Sequence, residues 1–317
     1  MSLEHVGHKQ IAKFAETKVN LKGETAKVYR DQANRVRDNI QRYISDNPNV
    51  GFVKTLLSGS LAKHTALKSL NDIDIALYIK DDKTDIDMGR ILKWMFGKLS
   101  HTYPSTQIKI DPPCVVISFS GTDLDVEVMP VIFDGDENGY GKIFDPYSME
   151  EKYTSIPRHI EFIKKRRKNQ PKDFAQLVRL IKFWKESQGI DFRSFLIELI
   201  VADCADKGID FSDYPSALLN IFNRILSDDL DERIIFEDYF PKNKFPPKPA
   251  NNAVAIFDPV EPKNNVAQDI AKNQINAFIE SIEEAADQIT FAKHATTKEK
   301  TLECWRNVFG PTFNILN

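Results

Sequence analysis

The stretch Leu56-Leu57-Ser58-Gly59-Ser60, followed after eleven residues by Asp72-Ile73-Asp74-Ile75, decides the fold of this chain. An apolar strand that ends in Gly-Ser brings backbone N–H groups and a hydroxyl to a loop that can hold a phosphate. Acids that alternate with isoleucines predict a second strand, with both carboxylates on one face and the isoleucines in the core. Paired carboxylates repel each other unless they share a cation such as Mg²⁺, so the pattern indicates either a metal site or a solvated strand face.

A third acidic strand is predicted downstream, over residues 124–132, after Thr122-Asp123. Leu124, Val126 and Val128 alternate with acids and are expected to face the core. The other face then carries Asp123, Asp125 and Glu127. Periodicity alone leaves these three as candidates for a third metal ligand.

Strand and helix periods divide the chain into an α+β first half and a helical second half, with predicted domains at 1–150 and 151–317. The first half has predicted helices at 4–18, 23–46 and 88–99 and strands at 53–57, 73–79, 115–119 and 124–132. The second has predicted helices at 156–168, 173–188, 194–207, 214–229, 266–291 and 297–308. The proline-rich segment 241–249 is expected to be an ordered surface crossing, because helical sequence resumes after it.

Composition excludes several classes of protein. The 43 basic residues nearly balance 46 acidic ones, and a net charge of -3 gives no global attraction to nucleic acid or to anionic membranes. Three scattered cysteines and no apolar leader or membrane span predict a cytoplasmic protein without a disulfide framework. The six histidines lack zinc-binding spacing, and neither a P-loop nor a Rossmann glycine motif is present.

These motifs together resemble the nucleotidyltransferase superfamily that includes DNA polymerase β. In members whose third acidic strand ends in proline, the third ligand stands three residues before it, which selects Glu127 ahead of Pro130. Asp125 is the runner-up. This chain has His64 where many relatives have glycine.

The helical half is similar to cyclic-dinucleotide synthases of the cyclic GMP-AMP synthase and oligoadenylate synthetase type. The resemblance rests on four segments, TSIPRH at 154–159, RLIKFWK at 179–185, FRSFLIE at 192–198 and DPVEPKNNVA at 258–267. With the N-terminal MSLEHVGHKQIAKFAE, the chain resembles the bacterial anti-phage (CBASS) cyclases that accompany HORMA-domain and AAA+ remodeller proteins. The resemblance implies a polymerase-β-like mixed-sheet core with an oligoadenylate-synthetase-like helical lobe.

The resemblance also implies the activity, which is the joining of nucleoside triphosphates into a cyclic di- or trinucleotide second messenger, with ATP among the substrates. Asp72, Asp74 and Glu127 would hold two Mg²⁺ ions, Mn²⁺ being a second candidate, while Gly59, Ser60, Lys182 and Ser194 would bind the nucleotide. A linear-oligonucleotide or RNA-end transferase and a non-catalytic nucleotide-sensing scaffold are the alternatives. Low basal activity, raised by a HORMA-like partner, is also expected.

Three further features have simpler interpretations. Lys182 could lie on a solvated helix face instead of contacting phosphate. The basic run Lys164–Lys168 is a candidate for a nucleic-acid contact, although such runs more often form solvated helix ends. Trp94, Trp184 and Trp305 are predicted to be core residues, and His64 to lie at the surface.

Overall fold

The structure, a computed structural model, describes residues 5–44, 50–80, 87–121, 124–145, 150–170, 173–249 and 254–314. The chain divides into two compact units. The sheet unit is Leu21–Glu161, and the helical unit combines Met1–Asn20 with Phe162–Asn317. None of the described helices has the length and apolar character that crossing a membrane requires.

The sheet unit is built on seven strands in the order β1-β2-β5-β4-β3, with β6 paired to β5 and β7 paired to β6. β2 and β5 are parallel, whereas the other pairs are antiparallel. The strands are β1 (Gly51–Leu57), β2 (Asp72–Lys80), β3 (Gln107–Asp111), β4 (Cys114–Phe119), β5 (Leu124–Phe133), β6 (Tyr140–Phe144) and β7 (Glu151–Ser155). The predicted mixed sheet is therefore confirmed, and β3, β6 and β7 are strands that the sequence did not predict.

One face of this sheet is covered by two amphipathic helices, α2 (Gly23–Ile44) and α4 (Met88–Thr102). Their apolar stripes, with Val36 and Met95 among them, form one core with the inward residues of β2 and β5. A short helix, α3 (Gly59–Lys63), follows β1 directly. Because the two helices cover the apolar face, they leave the opposite, acidic face of β2 and β5 uncovered.

The helical unit contains α1 (His8–Phe14), most of α5 (Ile156–Asn169), α6 (Asp173–Ser187), α7 (Ser194–Asp206), α8 (Tyr214–Leu226), α9 (Lys272–His294) and α10 (Lys298–Phe309). A hairpin of β8 (Phe257–Asp258) and β9 (Glu261–Asn265) precedes α9. The predicted helix at 266–291 therefore begins later, at Lys272. Trp184 and Trp305 are buried core residues, as predicted, and Trp94 in the sheet unit is half-buried.

The observed division differs from the predicted domains 1–150 and 151–317. Its boundary falls inside α5, after Glu161, and the N-terminal residues join the helical unit. The reason is an aromatic cluster, because the Phe14 ring of α1 lies 5.3 Å from Phe309 and 4.8 Å from Phe313. A contact across nearly 300 residues of chain cannot be predicted from local periodicity.

The proline-rich segment 241–249 is ordered, as expected. It contains a short 3₁₀ turn at Lys242–Lys244, and most of its residues are exposed or half-buried. Phe245 is the exception, since it is buried in a small cluster with Ala255 and Phe257. This one apolar anchor holds the segment on the helical unit.

Candidate active site

The turn between β1 and α3 brings a glycine against an acid of the neighbouring strand. Ser58 donates its backbone N–H to the Asp74 carbonyl at 2.8 Å, and Gly59 has a φ of +61°. A Cβ atom on Gly59 would lie only 1.6 Å from Asp74 Oδ2. Glycine is therefore required here both for the left-handed backbone and for the close approach to the carboxylate.

The short helix after this turn ends at Lys63 and is followed by His64. His64 is exposed, as predicted, and has a φ of +61°. The Thr65 backbone N–H closes the turn on the Ser60 carbonyl at 2.9 Å. The left-handed conformation at His64 explains why glycine suits this position.

The acidic strands are arranged as the alternation predicts. Ile73 and Ile75 are fully buried, while Asp72 and Asp74 are half-buried on the opposite face. In the parallel register, Asp74 lies opposite Glu127 and Asp72 lies opposite Asp125. Directly opposed residues share one face of a sheet, so four carboxylates lie together. Asp123, the other candidate, lies outside the described residues.

This crowding of carboxylates changes the proton affinity of two of them. Burial, together with the negative charges of Asp74 and Asp72, raises the pKa of Glu127 to about 7. Burial also raises the pKa of Asp72, with a contribution from the Asp125 charge. A bound cation would relieve this repulsion, which is the property expected of a metal site.

The edge strand β3 adds charged neighbours that the sequence did not predict. Asp111 is among the acids that raise the pKa of Glu127. Lys109 forms an ion pair with Asp111 at 3.0 Å, and the hydrogen bond to Asp111 raises the lysine pKa, with smaller contributions from Asp125 and Glu127. The alternation in Gln107–Asp111 was the available signal, but pairing with β4 was needed to place these charges beside Glu127.

The acids do not form a closed cage by themselves. Among the residues that the structure describes, no group of three His, Cys, Asp or Glu side chains is arranged to hold a metal ion. Mg²⁺ is usually held by one or two carboxylates together with substrate phosphates. The paired carboxylates therefore fit a site that is completed by a nucleotide.

The pH dependence of stability should reveal this cluster. Because the folded-state pKa of Glu127 is raised from 4.5 to about 7, the folded chain holds a proton that the unfolded chain releases. Its contribution is fully favourable below pH 4.5 and is lost as the pH rises through 7. We expect Glu127→Gln to become progressively more stable than the natural chain between those limits in metal-free thermal melts. A difference that stays constant with pH would contradict this placement of the charge.

Lys182 lies in the interior of the helical unit, and it is paired. It is 4% exposed, and its Nζ atom lies 2.6 Å from Oε1 of Glu198, which is 1% exposed. The interpretation of Lys182 as a solvated helix face is therefore wrong. Its contact with a triphosphate stays a prediction, as does that of Ser194, the half-buried first residue of α7.

The buried pair gives Lys182 a structural role that can be measured. Lys182→Met should lower the free energy of unfolding by about 3 kcal/mol, because it leaves the Glu198 carboxylate buried without its cation. Adding Glu198→Leu should recover most of this loss, since both charges are then gone. Urea denaturation of the three variants tests the prediction. A double variant no more stable than Lys182→Met would show that the two residues are not coupled.

The residues of the basic run Lys164–Lys168 differ in burial and in their contacts. Arg166 is 4% exposed and binds Asp206 and Asp238, with its guanidinium 3.7 Å from the Phe162 ring centroid. Arg166 is thus unavailable to nucleic acid, because its guanidinium group already binds both acids and packs on the Phe162 ring. Lys164, Lys165 and Lys168 are exposed, and the nucleic-acid contact stays a prediction for them.

Comparison with known proteins identifies relatives of the whole chain. Residues 7–167 match the family model described as the Second Messenger Oligonucleotide or Dinucleotide Synthetase domain. A cyclic AMP-AMP-AMP synthase of Escherichia coli (strain MS 115-1) is 41% identical over 99% of each chain. The solved structure of E. coli MS115-1 CdnC with ATP is 40% identical, covers 98% of this chain and 99% of its own, and has a TM-score of 0.90.

A second solved structure, that of the E. coli MS115-1 CdnC:HORMA-deltaN complex, has a TM-score of 0.89. It is 40% identical and covers 99% of this chain and 100% of its own. These matches confirm the predicted polymerase-β-like core with a helical lobe. They also confirm the resemblance to the HORMA-associated subgroup.

Proposed function

Since this chain belongs to the second messenger oligonucleotide or dinucleotide synthetase family, we propose that it joins three molecules of ATP into a cyclic adenosine trinucleotide. Membership makes it a nucleotidyltransferase that forms cyclic oligonucleotides. The choice of ATP and of a three-membered ring is supported by the 41% identical relative, which is a cyclic AMP-AMP-AMP synthase. The observation that carries the chemistry is the close approach of Gly59 to Asp74, with Glu127 opposite Asp74.

A divalent metal fits this acidic face. Asp72, Asp74 and Glu127 would hold it, because their oxygen ligands suit Mg²⁺ and their mutual repulsion favours a cation. When bound, Mg²⁺ supplies charge neutralisation of the phosphates and lowers the pKa of the attacking hydroxyl. Two Mg²⁺ ions, with Mn²⁺ as a substitute, remain our proposal for this site.

The triphosphate is proposed to be bound by the turn after β1. Gly59 lets the backbone approach the ligand closely, and Ser60 adds a hydroxyl at the start of α3. Ser194 would contribute a hydroxyl, and Lys182 a cation whose position is held by Glu198.

In each transfer, a ribose hydroxyl attacks the α-phosphate of a 5′-triphosphate, either that of ATP or, in the last transfer, that of the linear trinucleotide itself. The hydroxyl loses its proton, the new oxygen–phosphorus bond forms and the bond to the departing pyrophosphate breaks. The chain's own contribution is to hold the triphosphate at the Gly59-Ser60 turn and the acids on the adjacent face. Two further transfers, the last within one molecule, would close the ring.

Regulation by a HORMA-like protein is also part of the proposal. A structurally similar chain has been solved in complex with a HORMA protein. We propose that this chain has low basal activity, which such a partner raises, with an AAA+ remodeller and nucleic acid as further candidates.

Product chromatography tests the function. The purified chain should be incubated with Mg²⁺ and each NTP separately, with and without a HORMA-domain protein of the kind bound to the structurally similar chain. We expect a cyclic adenylate trinucleotide, resistant to phosphatase, and at a higher rate with the partner. Linear products would favour the oligonucleotide transferase, and no product under any condition would favour the nucleotide-sensing scaffold. Full activity without a partner would contradict the regulatory part alone.

The third metal ligand can be tested separately. We expect Glu127→Gln to reduce pyrophosphate release far more than Asp125→Asn, because Glu127 interacts with both Asp74 and Asp72. The two variants are matched, since each removes one negative charge from β5 on the same face. The reverse ranking of turnover would assign the ligand to Asp125.

A further inference from the structure

We propose that Arg193 is a positioning residue for nucleotide binding. Its side chain holds the first turn of α7, and with it the Ser194 hydroxyl, by a hydrogen bond to the Val266 carbonyl. The inference rests on the proposed contact between Ser194 and the triphosphate. It also gives a function to the segment DPVEPKNNVA at 258–267, called here the hairpin segment, which has no role in the transfer reaction itself. All of these residues lie in the helical unit.

The first turn of α7 lacks the side-chain cap that many helices have. Arg193 is the N-cap residue, and among the residues that the structure describes no side-chain hydrogen bond caps this helix. Ser, Thr, Asp and Asn usually supply such a bond. Core packing does not replace it, because Arg193 and Ser194 are half-buried, whereas every residue from Leu196 to Cys204 is buried. The first turn therefore needs another anchor.

The anchor is a backbone carbonyl of the hairpin segment. Arg193 donates from Nη1 to the Val266 carbonyl at 2.9 Å. The Val266 N–H donates in turn to the Ile256 carbonyl, also at 2.9 Å. Because Val266 is bonded through both its N–H and its carbonyl, it is a fixed point to which the arginine can attach the start of α7.

A buried asparagine fixes the backbone on both sides of Val266. Asn265 is 8% exposed, and its Oδ1 atom accepts hydrogen bonds from the N–H groups of Ile256 and Ala267, each at 3.1 Å. Its Nδ2 atom donates to the Val254 carbonyl at 2.9 Å. A carboxamide both accepts and donates, so one side chain can join three backbone groups here. The hairpin segment is thereby built to hold the Val266 carbonyl in one place.

The residues that lead into α7 are anchored to α9. Asp191 accepts a hydrogen bond from Nε2 of Gln274 at 2.6 Å. The buried Phe192 ring stacks on Phe278, with the ring centroids 3.8 Å apart and the planes only 2° from parallel. Together with the bond to the hairpin segment, three consecutive residues directly before Ser194 are held by different contacts.

The Ser194 hydroxyl is the group that this arrangement positions. In the part of the chain that the structure describes, the Ser194 side chain makes no hydrogen bond. Its place is therefore set by the backbone of the first turn. A hydroxyl binds a phosphate oxygen over about 2.5–3.0 Å, so a shift of the turn by about 1 Å would weaken the proposed contact.

The test is a double-mutant cycle, read by calorimetric binding of α,β-methylene-ATP with Mg²⁺ to the full chain. Ser194→Ala should raise the Kd about tenfold, as expected for the loss of one hydrogen bond to a charged group. Arg193→Leu should raise the Kd about fivefold, because it displaces the same hydroxyl. In the Ser194→Ala background, Arg193→Leu should change the Kd less than twofold, since the hydroxyl that it positions is already absent.

Further variants separate positioning from loss of stability. Arg193→Lys should bind the analogue within twofold of the natural chain, because its ammonium can donate to the same carbonyl, whereas Arg193→Gln is too short and should match Arg193→Leu. Arg306→Leu is the matched control, since it removes a hydrogen bond of 3.2 Å from a guanidinium to the Phe313 carbonyl. It should leave the Kd unchanged. Urea denaturation should show each variant folded under the conditions of the titration.

Each outcome of the cycle has a definite meaning. An equal effect of Arg193→Leu with and without the Ser194 hydroxyl would overturn the inference, because the two side chains would then act independently. An unchanged Kd for both Arg193→Leu and Arg193→Gln would overturn it as well, while sparing the proposed function. If Ser194→Ala bound the analogue as tightly as the natural chain, the Ser194 contact in the proposed function would itself be wrong.

Discussion

Replacing Asp72 and Asp74 together by asparagine is expected to reduce nucleotidyl transfer by at least about a thousandfold. Metal-assisted charge neutralisation is worth several kcal/mol, and about 4 kcal/mol corresponds to this factor. Both residues lie on the acidic face, where Asp74 is opposite Glu127 and contacts the Gly59 turn. Release of pyrophosphate from ATP with Mg²⁺, under the most active condition found for the natural chain, measures the effect.

The same variant should remain folded, which separates loss of chemistry from loss of structure. Without metal, its melting temperature should equal or exceed that of the natural chain, because the change removes like charges that raise the pKa of Glu127. Glu24→Gln with Asp31→Asn, two exposed acids of α2, controls for the loss of two negative charges. If the asparagine variant released pyrophosphate at a comparable rate, the metal assignment would be wrong.

The second large effect is expected from adding a single methyl group at Gly59. The Cβ of Gly59→Ala would lie 1.6 Å from Asp74 Oδ2 and 2.4 Å from its carboxyl carbon, so the Asp74 carboxylate must leave its place. Displacing a metal ligand should reduce turnover about as much as neutralising it, by roughly a thousandfold. Initial rates at saturating ATP and Mg²⁺ test this.

A control substitution at a second glycine separates the effect of displacing the Asp74 carboxylate from the effect of backbone strain. Gly189 has a φ of +66°, close to the +61° of Gly59, but no atom lies within 4 Å of its added Cβ. Gly189→Ala and Gly59→Ala should both lose about 1 kcal/mol of stability from the left-handed conformation. Only Gly59→Ala should lose activity. Equal activity in the two variants would mean that the position of Asp74 does not matter for transfer.

Much of the sheet unit could be predicted because its signals are local. The four predicted strands and the helix at 88–99 were all found, since each was encoded by an alternation or a helical period within a few residues. The β3 strand was missed although QIKID alternates, because the strand is short and most of its residues are exposed. The hairpin before α9 was missed because EPKNN has no strand-like composition.

The sequence predicted that the acids of the candidate site share one face of the sheet, but it did not predict how they are arranged there. Asp72, Asp74 and Glu127 were identified from spacing and resemblance, yet only β-strand pairing shows that Asp74, not Asp72, lies opposite Glu127. Lys182 was identified by its motif, but its burial against Glu198 depends on two helices packing together.

The sequence by itself determined which residues share a face of each strand, the Gly-Ser turn at the end of the first strand, and the family to which the chain belongs. These properties depend on neighbours within a few positions, where covalent geometry and side-chain alternation act directly. Only the tertiary structure decided the parallel register of β2 and β5, the position of Asp111 near Glu127 and the packing of the N-terminal residues within the helical unit. Those properties depend on residues far apart in the chain, whose contacts are selected by the burial of the whole core and leave no local pattern to read.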